Sequence, residues 1–218
     1  MAATRTRMDV DARREQLLSA GVSLFAARSW EEVSIDEIAA AAGVSRGLIY
    51  HYFAGKRGYY VACIEHVVER LLALGPDTEL HPAEQLRVSL ERFFHSIEEH
   101  PEMHLALRRV APADVEAAAL IERDREAFTA FVLAGMPDGG AGSPLARAAA
   151  RSWLAAVETA GLDWLEHRDV PAEQLIDVLS RTLAAAMMAA AALDATIRLP
   201  QFLSGLEPPP LGPGGAGG

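Results

Sequence analysis

The stretch from Ser34 to Ser45 constrains this chain more than any other feature. Ser34 precedes Ile35-Asp36-Glu37, the order of a capping box in which the serine accepts from the amide three residues on and the glutamate side chain answers. The helix begun there, IDEIAAAA, runs into Gly43, which suits the left-handed position that closes a helix, and Val44 and Ser45 follow at once. Ser45 is itself a helix-starting residue type. Two short helices parted by a three-residue turn with glycine form the pattern of a helix-turn-helix.

Helical spacing continues on both sides. Leu17, Ala20, Gly21, Leu24 and Phe25 predict an amphipathic helix over 11–28. Beyond the break at Phe53-Ala54-Gly55, the positions Tyr60, Cys63, Ile64, Val67, Val68 and Leu71 predict a long fourth helix from Lys56 to Leu74. Pro82, Pro101 and Pro112 open a fifth helix to about His100, a short sixth through Arg109 and a seventh to about Ala134. Two alanine-rich helices follow, over 144–167 and 171–197, and no window alternates with the period of two that a sheet requires. The expected fold is all-α: an N-terminal three-helix helix-turn-helix head (1–55), joined by the fourth helix to a larger helical-bundle body (56–204). The last stretch, 205–218, has ten Pro or Gly among its residues and reads as a disordered tail.

Composition narrows the function classes. Half of the 218 residues are apolar and 23% are charged, which excludes a disordered or fibrous chain. The single cysteine, Cys63, excludes an intramolecular disulfide and fits a reducing cytoplasm. The opening residues lack the apolar stretch of an export signal, and the longest uncharged apolar run, Leu183 to Leu193, is short for a bilayer, so a buried seam and no membrane partner are expected. The net charge of −10 hides an asymmetry: residues 1–60 hold eight basic and seven acidic side chains, the remainder twelve and twenty-three. A polyanion is repelled by the body and tolerated by the head. No HExxH and no glycine-rich phosphate loop is present, so no enzyme and no cofactor are expected. His95, Glu99, His100 and His104 crowd together, but Pro101 interrupts them and no metal site is inferred.

The segment VSIDEIAAAAGVSRGLIYHYFAGKRGYYVA, residues 33–62, resembles the DNA-binding head of the TetR family of transcriptional regulators. HPEMHLALRR (100–109) and AVETAGLDWLEHRDVPAEQLIDVL (156–179) resemble the body of one branch of that family. The resemblance implies a homodimeric regulator, most often a repressor, released from a palindromic double-stranded DNA operator by a small-molecule effector. The helix beginning at Ser45 would enter the major groove, with Ser45, Arg46 and Gly47 at its start. Arg46 could span a guanine or reach a phosphate, and Gly47 lets backbones approach. Tyr50, His51, Lys56 and Ser34 are candidate phosphate contacts. Where the family usually has an acidic residue after the lysine, this chain has Arg57-Gly58, expected to loosen the entry to the fourth helix and to attract phosphate.

In the body the resemblance implies an interior cavity, with candidate walls at Phe93, Phe94, Ile97, Met103, His104, Leu107, Arg108, Phe128 and Trp153. His104 and Arg108 lie four apart and could together hold an anionic or carbonyl-bearing ligand. They could equally be a surface pair facing Glu98 or Glu102. The last two helices would pair across a two-fold axis through Trp164, Leu175, Leu179, Leu183, Ala186, Met187 and Ala190, the alternative being that these residues are internal core.

Overall fold

The computed structural model describes residues 2–75, 80–110, 114–137 and 142–200, and among them it has nine α-helices and no strand. They are α1 (Ala2–Ala27), α2 (Ile35–Ala42), α3 (Arg46–Tyr52), α4 (Gly55–Leu72), α5 (Pro82–Glu99), α6 (Pro101–Arg108), α7 (Val115–Ala134), α8 (Pro144–His167) and α9 (Ala172–Leu193). The all-α expectation is met. Pro112 and the proposed tail 205–218 lie outside the described residues.

Local chemistry accounts for several helix ends. Ser34 Oγ accepts from the Glu37 amide at 3.2 Å, while the Glu37 carboxylate accepts from the Ser34 amide at 2.8 Å. Gly43 closes α2 at φ 66°, and the Val44 amide donates back to the Ala39 carbonyl at 2.9 Å. Ser45 and Ser143 cap α3 and α8 through their hydroxyls, and Asp114 caps α7 by accepting from the Ala117 amide at 3.1 Å. Gly55 opens α4 at φ 79°, a value that favours glycine.

Helix α7 starts at Val115 behind its cap Asp114 rather than at Pro112, and two ends differ more. α1 begins at Ala2 rather than near residue 11, because extending a helix already anchored by packing costs little once nucleation is done. α9 stops at Leu193 rather than 197. There Asp194 accepts from the Ser143 hydroxyl at 2.6 Å and from the Thr196 amide at 3.0 Å, so its carboxylate turns the chain instead of continuing the helix.

The chain divides into two compact units. The first comprises residues 1–75 and 92–126, the second 76–91 and 127–218. In the first, Leu17, Leu18, Val22 and Phe25 of α1 form one core with Ile38, Ile49, Tyr59, Cys63, Ile64 and Val67, joined by Met103 and Ala106 of α6. α1 and α4 approach so closely that a Cβ on Gly21 would lie 2.5 Å from both Cys63 Sγ and Tyr59 Oη. In the second, α8 and α9 pack along each other. Trp153, Val157 and Trp164 are buried on α8, and Ile176, Leu179, Leu183, Met187 and Ala190 on α9. Helix α9 is long and apolar enough, by length and composition alone, to cross a membrane. Its uncharged run, Leu183 to Leu193, makes up only the second part of that length.

Candidate nucleic-acid interface

Helix α3 has one fully buried residue, Ile49, in the first unit's core, with Tyr52 half-buried against it. The opposite side is polar and open. Ser45, Arg46, Gly47, Tyr50 and His51 are exposed, Tyr50 at 54%. A Cβ on Gly47 would meet nothing nearer than Ser45 Oγ at 3.8 Å, so this position leaves space for a ligand's backbone without being needed by the fold. His51 packs edge-on against Tyr52 with ring centroids 5.4 Å apart.

Ser34 is exposed, and its hydroxyl donates to the Glu37 carboxylate at 2.8 Å, so the cap already occupies it. The capping amide, the hydroxyl and Arg28, whose Nη2 donates to Glu37 Oε1 at 2.7 Å, together hold the Glu37 carboxyl down to about 2. Lys56 Nζ donates to the Glu31 carbonyl at 2.9 Å and sits 5.2 Å from the centre of the Trp30 ring. The structure thus brings Ser45, Arg46, Gly47, Tyr50 and His51 onto one exposed helix, with Ser34 and Lys56 at the starts of α2 and α4.

Arg57 departs from the sequence expectation. Its guanidinium forms a two-pronged pair with Asp114, one contact at 2.6 Å, and a third contact with Glu116 at 3.3 Å. It also lies 5.2 Å from the Trp30 ring and 5.6 Å from the Tyr60 ring. The Arg57 hydrogen bonds hold the Asp114 carboxyl below its ordinary range, and burial pushes the Tyr60 phenol up to about 12. An arginine expected to attract phosphate is satisfied within the protein. Nothing in a local reading signals a partner 57 residues away.

The candidate effector residues fall in both units. Phe94, Ile97, Met103 and His104 are buried in the first, where Phe93 and Leu107 are half-buried. Phe128 and Trp153 belong to the second, and the Trp153 indole donates to the Leu179 carbonyl at 2.8 Å. His104 and Arg108 separate. The His104 Nε2 lies 3.1 Å from Ser96 Oγ and its ring stands edge-on to Phe93 at 5.4 Å, whereas Arg108, the last residue of α6, is exposed. Burial, reinforced by nearby His100, lowers the His104 imidazole to about 4, so it is neutral near pH 7. The alternative of a surface histidine facing Glu98 or Glu102 is not realised. Instead His100 lies 3.6 Å from Glu102, and His95 lies 4.0 Å from Glu99.

Of the candidate pairing residues, Trp164, Leu179, Leu183, Met187 and Ala190 are buried within the single chain, while Leu175 and Ala186 are half-buried. Sequence reasoning misses Asp36, whose Oδ1 lies 3.2 Å from Arg46 Nε, and Arg109, whose Nε donates to the Ala26 carbonyl at 2.6 Å.

Residues 17–63 match the family model described as bacterial regulatory proteins, tetR family, and residues 82–186 match that of the tetracyclin repressor-like C-terminal domain. A tetR-family transcriptional regulator from Streptomyces coelicolor superposes with a TM-score of 0.71 at 32% identity, over 90% of this chain and 86% of that one. The HTH-type transcriptional activator FasR of Mycolicibacterium smegmatis is 36% identical over 97 residues, 42% of this chain and 43% of FasR. The HTH-type transcriptional repressor KstR2 of Mycobacterium tuberculosis is 29% identical over 99 residues, 44% of this chain and 50% of KstR2. The chain spans half or less of the length of these two curated relatives. With a capped helix-turn-helix, matches to both family models and a solved relative alike over most of its length, this chain belongs to the TetR family of transcriptional regulators.

Proposed function

We propose that the chain acts as a homodimeric, sequence-specific DNA-binding regulator, a repressor that leaves a palindromic operator when a small molecule binds its body. Residues 1–55 contact DNA, and residues 56–204 bind effector and form the dimer. One observation carries the DNA-binding reading: α3 is anchored by the buried Ile49 while Arg46, Gly47, Tyr50 and His51 of the same short helix stand in solvent. A helix so placed can enter a major groove without disturbing the core beneath it. The related FasR is an activator and KstR2 a repressor, so the sign of regulation is the part that a promoter-reporter assay decides. A bacterial regulator of DNA of this kind works in the cytoplasm, as neither an enzyme nor a membrane protein.

The dimer reading draws support from α9, where Val178 is 56% exposed and Leu193 80% exposed, with Ala185, Ala189 and Ala192 also exposed. Apolar surface of this kind is what an obligate interface removes from water. The effector reading draws support from the buried Ser96 and His104 pair among Phe93, Phe94, Ile97 and Met103. Apolar walls with few polar groups suit a mostly apolar ligand. His104, within hydrogen-bond distance of Ser96, is the polar group there that a ligand's handle would meet. A ligand favouring the DNA-free state by about 10⁴ switches occupancy almost completely.

The test is selection of bound sequences from a randomised duplex library, followed by affinity against salt for the enriched sequence. Tyr50→Phe, His51→Ala and Lys56→Ala each weaken binding to all sequences alike, and Lys56→Ala, which removes a cation, also lowers the salt slope by roughly one. Enrichment of no sequence by the wild type would refute DNA recognition. Relaxed preference at a single base pair in any of the three would make that residue a base contact.

A further inference from the structure

Arg46 opens α3, and Asp36 lies in the first turn of α2 across the turn at Gly43. The Asp36 carboxylate comes nearest to Arg46 at Nε, 3.2 Å away. Both side chains are largely exposed, at 60% for Arg46 and 67% for Asp36. A pair this exposed contributes little to folding, and the start of α2 does not need it, because Glu37 supplies the capping box and pairs with Arg28. A carboxylate beside a surface that meets a polyanion is repelled unless its charge is taken up. Held through Nε, a guanidinium still offers its two terminal nitrogens, the fork that matches the O6 and N7 edge of guanine.

We propose that Asp36 is a positioning residue for sequence readout: by holding Arg46 through Nε it aims the guanidinium fork at one guanine and keeps it from a neighbouring phosphate. The inference rests on the DNA-binding reading above and narrows it, for Arg46 alone could serve either as a base contact or as a phosphate contact. Closure of the interface excludes water and strengthens the pair where it is needed.

The experiment compares base preferences of the full-length wild type, Asp36→Ala, Asp36→Asn, Arg46→Ala and Arg46→Lys on a randomised duplex library, with thermal melting as a check of folding. Arg46→Lys keeps the charge but loses the fork, so it relaxes preference at one base pair by about 10-fold or more while retaining overall affinity. Asp36→Ala relaxes the same base pair. Its binding to unselected DNA is retained or increased and its salt slope steepens by up to about one, since a negative charge is gone and Arg46 is released to phosphate. Asp36→Asn keeps the helix start and one acceptor oxygen and falls between wild type and Asp36→Ala. A purely structural role for Asp36 would instead weaken binding to every sequence alike, and that result overturns the proposal. So does relaxed preference in the Arg46 variants with an unchanged profile in both Asp36 variants. If neither Arg46 variant relaxes any position, Arg46 is no base reader and the proposal fails with it, while the Tyr50, His51 and Lys56 measurements still report on DNA binding itself. A wild type that enriches no sequence overturns both.

Discussion

Gly21 lies mid-helix in α1, where glycine costs up to about 1 kcal/mol in propensity against alanine. Its place is explained by the Tyr59 hydroxyl and the Cys63 thiol, each 2.5 Å from where a Cβ would stand. The same tyrosine donates its hydroxyl to the Leu17 carbonyl, and the Cys63 Sγ lies 3.7 Å from the Leu18 carbonyl, so neither neighbour can withdraw freely. Gly21→Ala therefore destabilises the protein by roughly 1–3 kcal/mol despite its better propensity, measured by urea unfolding. A neutral or stabilising result would mean that α1 and α4 can part at little cost. His104 sets a pH dependence. Burial lowers it from 6.5 to about 4, so between those values the unfolded chain takes up a proton that the folded chain refuses, and stability falls as the pH drops through that window. The loss from this group is on the order of 3 kcal/mol. Burial also lowers His66, which adds in the same direction. Unfolding measured from pH 7 to pH 4 should show a smaller decline in His104→Gln than in wild type. Between pH 4.5 and about 2 the unfolded chain takes up a proton at Glu37 that the folded chain, bonded to Ser34 and Arg28, refuses, which adds a second loss.

Between elements, the joint of most consequence is the pair of Arg57 on α4 with Asp114 at the cap of α7. The Asp114 side chain is only 5% exposed and performs two tasks, accepting from the guanidinium and from the Ala117 amide. Asp114→Ala removes both at once and leaves Arg57 facing Glu116 alone. The expected loss is about 1–3 kcal/mol, read as a lowered thermal midpoint. Asp114→Asn retains an acceptor for the cap and costs less. Equal losses from the two variants would show that the ionic contact with Arg57, and not the cap, dominates. Lys56 shares the Trp30 ring with Arg57, so Asp114→Ala also weakens DNA binding through a displaced α4 start.

At the scale of the whole molecule, burial separates two kinds of apolar residue on α9. Met187 is fully buried within the single chain, whereas Val178 is 56% exposed. Met187→Arg places a charge in the second unit's own core and unfolds that unit. Val178→Glu and Ala189→Arg place theirs on its surface and leave the monomer folded. If the outer face of α9 forms the dimer, sedimentation shows monomers for these two variants, and affinity for a two-half-site duplex falls because one head alone binds weakly. Dimers of normal affinity would move the interface to another surface.

Caps, glycine stops and 3.6-residue spacing act over a few residues and are written in order along the chain, so the helices and the recognition turn are legible from the residues alone. Ser34 with Glu37, Gly43 and Ser45 all follow in this way, and so does the exposed face of α3 once Ile49 is assigned inward. What depends on partners far apart in the chain emerges only from packing. Packing turns Arg57 from a phosphate attractor into the partner of Asp114, ends α9 where Asp194 meets Ser143, and sends His104 inward to Ser96 while Arg108 goes to solvent. It also shows that Leu179, Leu183 and Met187, apolar enough for an interface, are already buried within their own chain. Apolar spacing states that a face must be covered; only the folded chain shows which neighbour covers it.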